Sequence, residues 1–185
     1  MREDWPSPEV PYLAQNDVCC ELTAPTTADD VPSEAPRPPY RVRIARITDP
    51  AHPAHNEFGL FAAEPIPAHA FVLNYIGRVH LQSTYPDSDY AVTYYGAFAI
   101  DATDAGNEAR FINDYRNIGP RPNVAFDTYK EARSDGDVSR IHVGVYSLNK
   151  PIAEGEEILG NYGRAYWRAR GVKGYLGPDW DDDWD

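Results

Sequence analysis

The chain has 185 residues, which is room for one domain of ordinary size rather than two. It is 42% hydrophobic, 25% charged and 12% aromatic, and no apolar run approaches the roughly 20 residues of a membrane helix, so it reads as a soluble globular chain. The formal net charge of −12 and the lack of a basic stripe disfavour direct nucleic-acid binding, because acidic ends repel phosphate.

That charge is unevenly placed. Residues 1–40 hold eight acids against two arginines, and residues 179–185 hold five aspartates and no base, which leaves 41–178 close to neutral. Ten of the 17 prolines fall before residue 54, in a stretch without a sustained period of 2 or 3.6. Proline fixes its own backbone and withholds a donor, so 1–39 is expected to be a flexible, Pro-rich acidic arm. The opening residues lack the basic segment and apolar run of a secretory signal, so an intracellular location is expected. Cys19 and Cys20 are adjacent and suit neither a disulfide framework nor a four-ligand zinc site.

From Tyr40 the texture changes. Tyr40, Val42 and Ile44 alternate with polar residues, as in a half-buried strand. Strand-like runs follow at 71–76, 90–95, 98–100, 124–129 and 141–147, separated by Gly, Pro, Asp and Asn clusters. A short helix is predicted over 164–170, with Gly171 where a left-handed cap would end it. The pattern predicts one mainly β domain over 40–170 with few short helices, followed by an acidic aromatic tail over 171–185. It lacks the alternating helices of a doubly wound nucleotide fold.

Several chemistries are absent from the sequence. There is no phosphate-cradling glycine loop ending in Lys-Ser/Thr, no GxSxG turn and no HExxH pair. His52 and His55 lie in a Pro-Ala loop where solvated side chains are expected, and no role is assigned to them. Gly171, Gly174 and Gly177 follow the strands and open no helix, so they do not read as a dinucleotide turn.

Four segments carry information in their order. They are Glu57-Phe58-Gly59-Leu60-Phe61-Ala62; Tyr75-Ile76-Gly77; Gly106 through Asn113 (GNEARFIN) with Arg121-Pro122-Asn123; and Gly155 through Gly163 (GEEILGNYG). At these residues the chain resembles the SET-domain protein lysine methyltransferases, over about 40–170. The third and fourth segments are the specific ones. The resemblance implies a fold of small curved sheets with a knot-like C-terminal crossing. It also implies transfer of a methyl group from S-adenosylmethionine to a lysine side chain of a basic protein substrate, with a histone tail as the expected target, in the nucleus.

This activity makes demands that the residue types can meet. The attacking amine must be neutral, and with a reference pKa near 10.4, deprotonating lysine at pH 7 costs roughly 4 to 5 kcal/mol. A narrow channel walled by aromatic rings disfavours the ammonium by desolvation. Ten of the 13 tyrosines lie between residues 75 and 166. Phenols supply apolar walls together with hydroxyls that orient the amine lone pair.

Carried over position by position, the resemblance makes Tyr162 the main catalytic tyrosine and Tyr75 a second hydroxyl beside the lysine channel. Phe58, Gly59, Asn113, Asp114 and Tyr162 would meet the cofactor. Tyr75, Phe126, Tyr166 and Trp167 would line the substrate channel, with Tyr175 and Trp180 as further candidates to close it. Asn123 reads equally as a residue of the crossing near the cofactor and as a buried amide satisfied by backbone groups. Arg110 and Phe111 read as scaffold.

The departures are specific. Glu57 stands where the family has the first glycine of its turn, Asp114 where it has histidine, and Tyr115-Arg116 where a cysteine usually follows. Gly160 occupies a position often aromatic and linked to how many methyls are added. No metal site is expected. These differences keep open an alternative from another class, a catalytically weak or inactive SET-like module that binds a basic peptide or protein partner.

Overall fold

The computed structural model describes residues 5–6, 9–18, 37–131 and 140–172. In chain order the strands are β1 (Asp17–Val18), β2 (Val42–Arg46), β3 (Phe58–Ala62), β4 (Phe71–Asn74), β5 (Arg78–Leu81), β6 (Ala91–Thr93) and β7 (Phe98–Asp101). A 3-10 turn over Glu108–Phe111 leads into β8 (Asn113–Asp114), and β9 (Val124–Glu131), β10 (Arg140–Ser147) and β11 (Leu159–Gly160) follow. One α-helix is present among the described residues, α1 (Gly163–Ala169).

The strands form four small sheets: β1-β5-β7-β6, β4-β10-β9, and the pairs β2-β3 and β8-β11. The short, separated strands have a physical cause. Only β9 and β10 extend to eight residues; every other strand has five or fewer, and turn-forming Gly, Pro, Asp and Asn residues fall between them. β10 lies between β4 and β9 and is covered on both faces, with His142, Val143, Gly144, Val145 and Ser147 all buried. The core gathers residues of the sheets β1-β5-β7-β6, β4-β10-β9 and β2-β3 and of the segments between strands, among them Leu60, Ile66, Leu73, Ile100, Val145 and Ile158, each fully buried. Each such side chain contributes about 1.5 to 3 kcal/mol of transfer free energy. No helix among the described residues is long and apolar enough to cross a membrane.

A mainly β fold with a short C-terminal helix is therefore observed. Part of the N-terminal segment is described, at residues 5–6, 9–18 and 37–39. There Trp5 is buried against Tyr12 and Phe111, with ring centroids at 5.3 and 5.5 Å. Its indole N–H donates to Val10 O at 2.6 Å. Tyr12 bridges Gly106, and β1 pairs in parallel with β5. Trp5, Val10 and Tyr12, set among prolines, pack without periodicity, because isolated contacts replace a continuous ladder. The arm's remainder, and most of the C-terminal tail with Tyr175 and Trp180, lie outside the described residues.

Two amides position the site. Asn107, 3% exposed, donates through Nδ2 to Asn74 O at 2.8 Å and accepts the Ile76 N–H at 3.2 Å, which ties the 3-10 turn to the segment carrying Tyr75. Asn123 accepts the Leu159 N–H at 2.8 Å and donates to Glu157 O at 2.8 Å. It thereby holds the chain that leads through β11 to Tyr162.

Candidate active site

β8 and β11 run parallel, with Asn113 opposite Leu159 and Asp114 opposite Gly160. This pairing sets the chain that bears Asn113 and Asp114 against the chain that bears Tyr162. Tyr162 stands at the start of α1, where its backbone N–H donates to Asp114 Oδ2 at 2.7 Å.

Tyr75 and Tyr162 line one cavity of about 430 Å³, together with Tyr90, Arg110, Ile112, Phe126, Tyr166 and others. The two phenols have matching geometry. Tyr162 Oη donates to Ile112 O at 2.7 Å, and Tyr75 Oη donates to Tyr90 O at 2.7 Å. A carbonyl can only accept, so each phenol proton is committed to the backbone and each phenol oxygen keeps its lone pairs for another donor. Burial pushes both phenols well above the usual tyrosine range, and a neighbouring phenol (Tyr162 for Tyr75, Tyr166 for Tyr162) and nearby carboxylates add to the effect. Neither is suited to act as a base near neutrality. Both are suited to orient an amine.

Phe126 lines the same cavity, edge-on to Tyr75 with centroids at 5.9 Å. Tyr166 lines the same cavity and is held at its rim by Asp89, which accepts its hydroxyl at 3.1 Å. Arg170 lies over the Tyr166 ring at 3.6 Å and donates through Nε to the same carboxylate at 2.6 Å. Burial and the Asp89 charge push the Tyr166 phenol up to about 12. Trp167 is not among the lining residues; it stands behind the wall, stacked on Tyr162 at 6.3 Å and edge-on to Tyr166 at 5.1 Å. Aromatic side chains of α1 thus cover this end of the cavity. Among the described residues no group of His, Cys, Asp or Glu side chains could hold a metal ion.

The residues expected to meet a cofactor form a second cluster. Asn113 donates through Nδ2 to Glu157 Oε1 at 2.9 Å and to Phe58 O at 3.3 Å. Gly59 lies against both side chains: a Cβ there would stand 2.6 Å from Glu157 Oε1 and 3.3 Å from Asn113 Nδ2, so only glycine leaves the carboxylate its place. Phe58 is clamped between the Arg46 guanidinium at 4.9 Å and the Phe111 ring at 6.1 Å. The Asp114 side chain is spent internally, on Arg116 Nη1 at 2.9 Å, on the Arg116 backbone N–H at 2.9 Å and on Tyr162. Only its backbone is left for a ligand.

Sequence reasoning missed three participants. His52, expected to be solvated, is buried with 8% of its side chain exposed and lies 3.0 Å from Glu157 Oε2. A loop histidine among alanines and prolines gives no sign of a partner 105 positions away. Arg110, expected to be scaffold, lines the cavity, with its guanidinium 4.5 Å from the Tyr90 ring. Tyr90 itself supplies the carbonyl that fixes Tyr75.

A family model described as SET domain matches residues 57–163, more than half of the chain. The chain belongs to the SET-domain family. Among solved structures it is similar to a chain of the Apo ctPRC2 with E840A and K852D mutations in Ezh2, at 24% identity and a TM-score of 0.53 over 67% of this chain and 15% of that one. It is also similar to a chain of the Chaetomium thermophilum Polycomb Repressive Complex 2 bound to GSK126, at 23% identity and a TM-score of 0.51 over 67% of this chain and 16% of that one. This chain therefore spans about a sixth of the length of either neighbour, and at that identity the likeness shows the fold. No curated protein matches the sequence.

Proposed function

We infer that the protein is a lysine N-methyltransferase that uses S-adenosylmethionine. The observation that carries this reading is the pair of phenols, Tyr75 and Tyr162, in one aromatic cavity with both hydroxyl protons donated to backbone carbonyls. Two oxygens offering only lone pairs accept the N–H groups of a lysine amine and turn its own lone pair toward the donor. The cavity's rings withhold water from the amine, and the Arg110 guanidinium in its wall opposes an ammonium charge. Both effects favour the neutral, attacking form inside the cavity, while the exposed carboxylates of Asp89 and Asp127 favour the ammonium only at its mouth. Rate enhancement then comes from orientation and desolvation rather than from proton transfer to a side chain.

The second cluster fits the cofactor's cationic amino-acid end. Asn113 Oδ1 has no partner among the described residues, and the Glu157 carboxylate lies beside the same amide. Phe58, Gly59 and Asn113 would hold the group there, with the backbone of Asp114 and the ring of Tyr162 completing the site. When bound it supplies an electrophilic methyl group on a sulfonium.

A basic protein tail, with a histone as the favoured member of that class, is the proposed substrate, and a nuclear location goes with it. Acidic side chains at the cavity rim, Asp89 and Asp127, and the acidic chain ends support a basic partner. Beyond about 8 Å such charges are mostly screened at physiological salt, so they steer rather than select.

The test is a calorimetric titration with S-adenosylmethionine, followed by incubation with labelled cofactor and core histones and mass spectrometry of the products. Micromolar binding and methylated lysine are expected. Tyr162→Phe should lower turnover by about 100-fold, the scale of a lost orienting contact, with cofactor affinity nearly unchanged. Absence of cofactor binding would favour a SET-like module that only holds a basic partner, and full turnover in the variant would remove the mechanism.

A further inference from the structure

We propose that His52 is a positioning residue for the cofactor-binding amide of Asn113, acting through Glu157; this rests on the methyltransferase reading and extends the machinery of that site. The loop that carries His52 connects β2 to β3 and folds back through its own backbone, with Asn56 N–H donating to Ile47 O at 3.0 Å and Glu57 N–H to Ala54 O at 3.0 Å. Within it the Ala54 N–H donates to His52 Nδ1 at 3.0 Å. A backbone amide can only donate, so Nδ1 carries a lone pair and the ring proton sits on Nε2. That proton points at Glu157 Oε2, 3.0 Å away, in a pair whose side chains are 8% and 11% exposed.

The other Glu157 oxygen receives the Asn113 amide. Both acceptors of Asn113 Nδ2, Glu157 Oε1 and Phe58 O, lack a proton to give, so the amide must turn its NH2 toward them and its Oδ1 away. An ammonium needs an oxygen at that place. His52 therefore fixes the carboxylate, the carboxylate fixes the amide, and the amide presents the correct atom to a cationic ligand. The absence of a Cβ at Gly59 makes room for the middle member of this relay.

Removing the imidazole leaves one oxygen of a nearly buried carboxylate without its donor. The carboxylate then rotates or recruits water, and Asn113 loses the constraint that kept NH2 from facing the ligand. The phenols of the other cavity are untouched. The expected signature is a loss of cofactor affinity with chemistry at saturation largely kept.

The experiment uses the full chain as wild type, His52→Ala and His52→Gln, titrated calorimetrically with S-adenosylmethionine and assayed for KM and kcat. Glutamine keeps a donor for Glu157 and an acceptor for the Ala54 N–H. His52→Ala should weaken binding and raise the cofactor KM by about tenfold, the equivalent of one hydrogen bond to a charged group, with kcat changed by less than about threefold. His52→Gln should recover most of the affinity. In the cofactor-free wild type, nitrogen-15 NMR should find the His52 proton on Nε2, a readout that stands even if the alanine variant folds poorly. Equal affinity of wild type and His52→Ala, no recovery in His52→Gln, or a proton on Nδ1 overturns the proposal while the methyltransferase reading stands. A wild type that does not bind the cofactor overturns both.

Discussion

Asp114 and Arg116 form an ion pair with 5% and 7% of their side chains exposed, and the Asp114 oxygen that meets Arg116 Nη1 at 2.9 Å also accepts the backbone N–H of Tyr162 at 2.7 Å. Where the family has histidine, this chain has a carboxylate, and two residues later it has the cation that neutralises it. Arg116 Nη1 reaches on to Asn161 Oδ1 at 2.9 Å, so the pair also fixes the residue before Tyr162. Breaking one member of a buried pair costs about 3 to 5 kcal/mol, because the other charge is left uncompensated. Arg116→Ala is expected to destabilise the protein by about 3 kcal/mol in urea unfolding. Asp114→Ala with Arg116→Ala together should cost clearly less than the sum of the single changes. An additive result would mean that the pair does not act as a unit.

The tyrosines give a pH dependence with a definite sign. Burial raises the folded-state pKa of Tyr75 and Tyr162 above the unfolded value of 10.0. A group whose pKa is raised on folding contributes stability that is complete below its unfolded pKa and declines as pH rises above it. Stability should therefore be insensitive to these two groups up to about pH 10 and fall beyond that. Tyrosinate absorbance followed during an alkaline titration should show both phenols ionising together with the loss of structure. Ionisation of either at its ordinary pKa in the folded protein would contradict their burial and the orienting role drawn from it.

Gly160 and Phe126 share one space. A Cβ on Gly160 would stand 2.8 Å from Phe126 Cε2 and 3.3 Å from Ile112 Cγ2, so the ring occupies room that a side chain at position 160 would need. Overpacking of this kind costs about 1 to 3 kcal/mol. Gly160→Ala should fall in that range by thermal denaturation, and the same change in a Phe126→Ala background should cost less. Because Phe126 also lines the cavity beside Tyr75, Phe126→Ala should leave room for a bulkier amine. Mass spectrometry should then show products carrying more methyl groups than the wild type makes. An unchanged product distribution would show that the ring does not limit the space around the amine.

Trp5 belongs to the core despite its place in a Pro-rich segment. Its ring meets Tyr12 and Phe111 edge-on, and Phe111 in turn meets Phe58 at 6.1 Å, beside the carbonyl that holds Asn113. Trp5→Ala should cost about 3 kcal/mol, the low end for a core aromatic. The accompanying drop in melting temperature is roughly 10 °C for a chain of this size. A change of less than about 1 °C would return the segment to the status of a passive arm.

Much of the scaffold was legible because its signals are local. The runs at 71–76, 98–100, 124–129 and 141–147 became β4, β7, β9 and β10, and the helix over 164–170 became α1 at Gly163–Ala169 with Gly171 left-handed at φ +73°. The two-residue strands β1, β8 and β11 were not legible, since two residues carry no period and exist only through their partners. At the site, Tyr75, Tyr162, Phe126 and Tyr166 do meet at one cavity. Trp167 does not reach it, because at one residue beyond Tyr166 on a helix it must point elsewhere. His52 was invisible for the opposite reason: its meaning lies wholly in a carboxylate brought to it by the fold.

The parallel pairing of β1 with β5 has a practical corollary. β5 has β7 on one side and β1 on the other, so Asp17 and Val18 cap a hydrogen-bonding edge. A recombinant version begun at Tyr40, the natural choice from the hydropathy pattern, would uncover that edge and the apolar seat of Trp5 at once. Unpaired edges invite strands from neighbouring molecules. Such a shortened product should come out of expression as aggregates, and a soluble monomer instead would show that residues 17 and 18 do not guard against self-association.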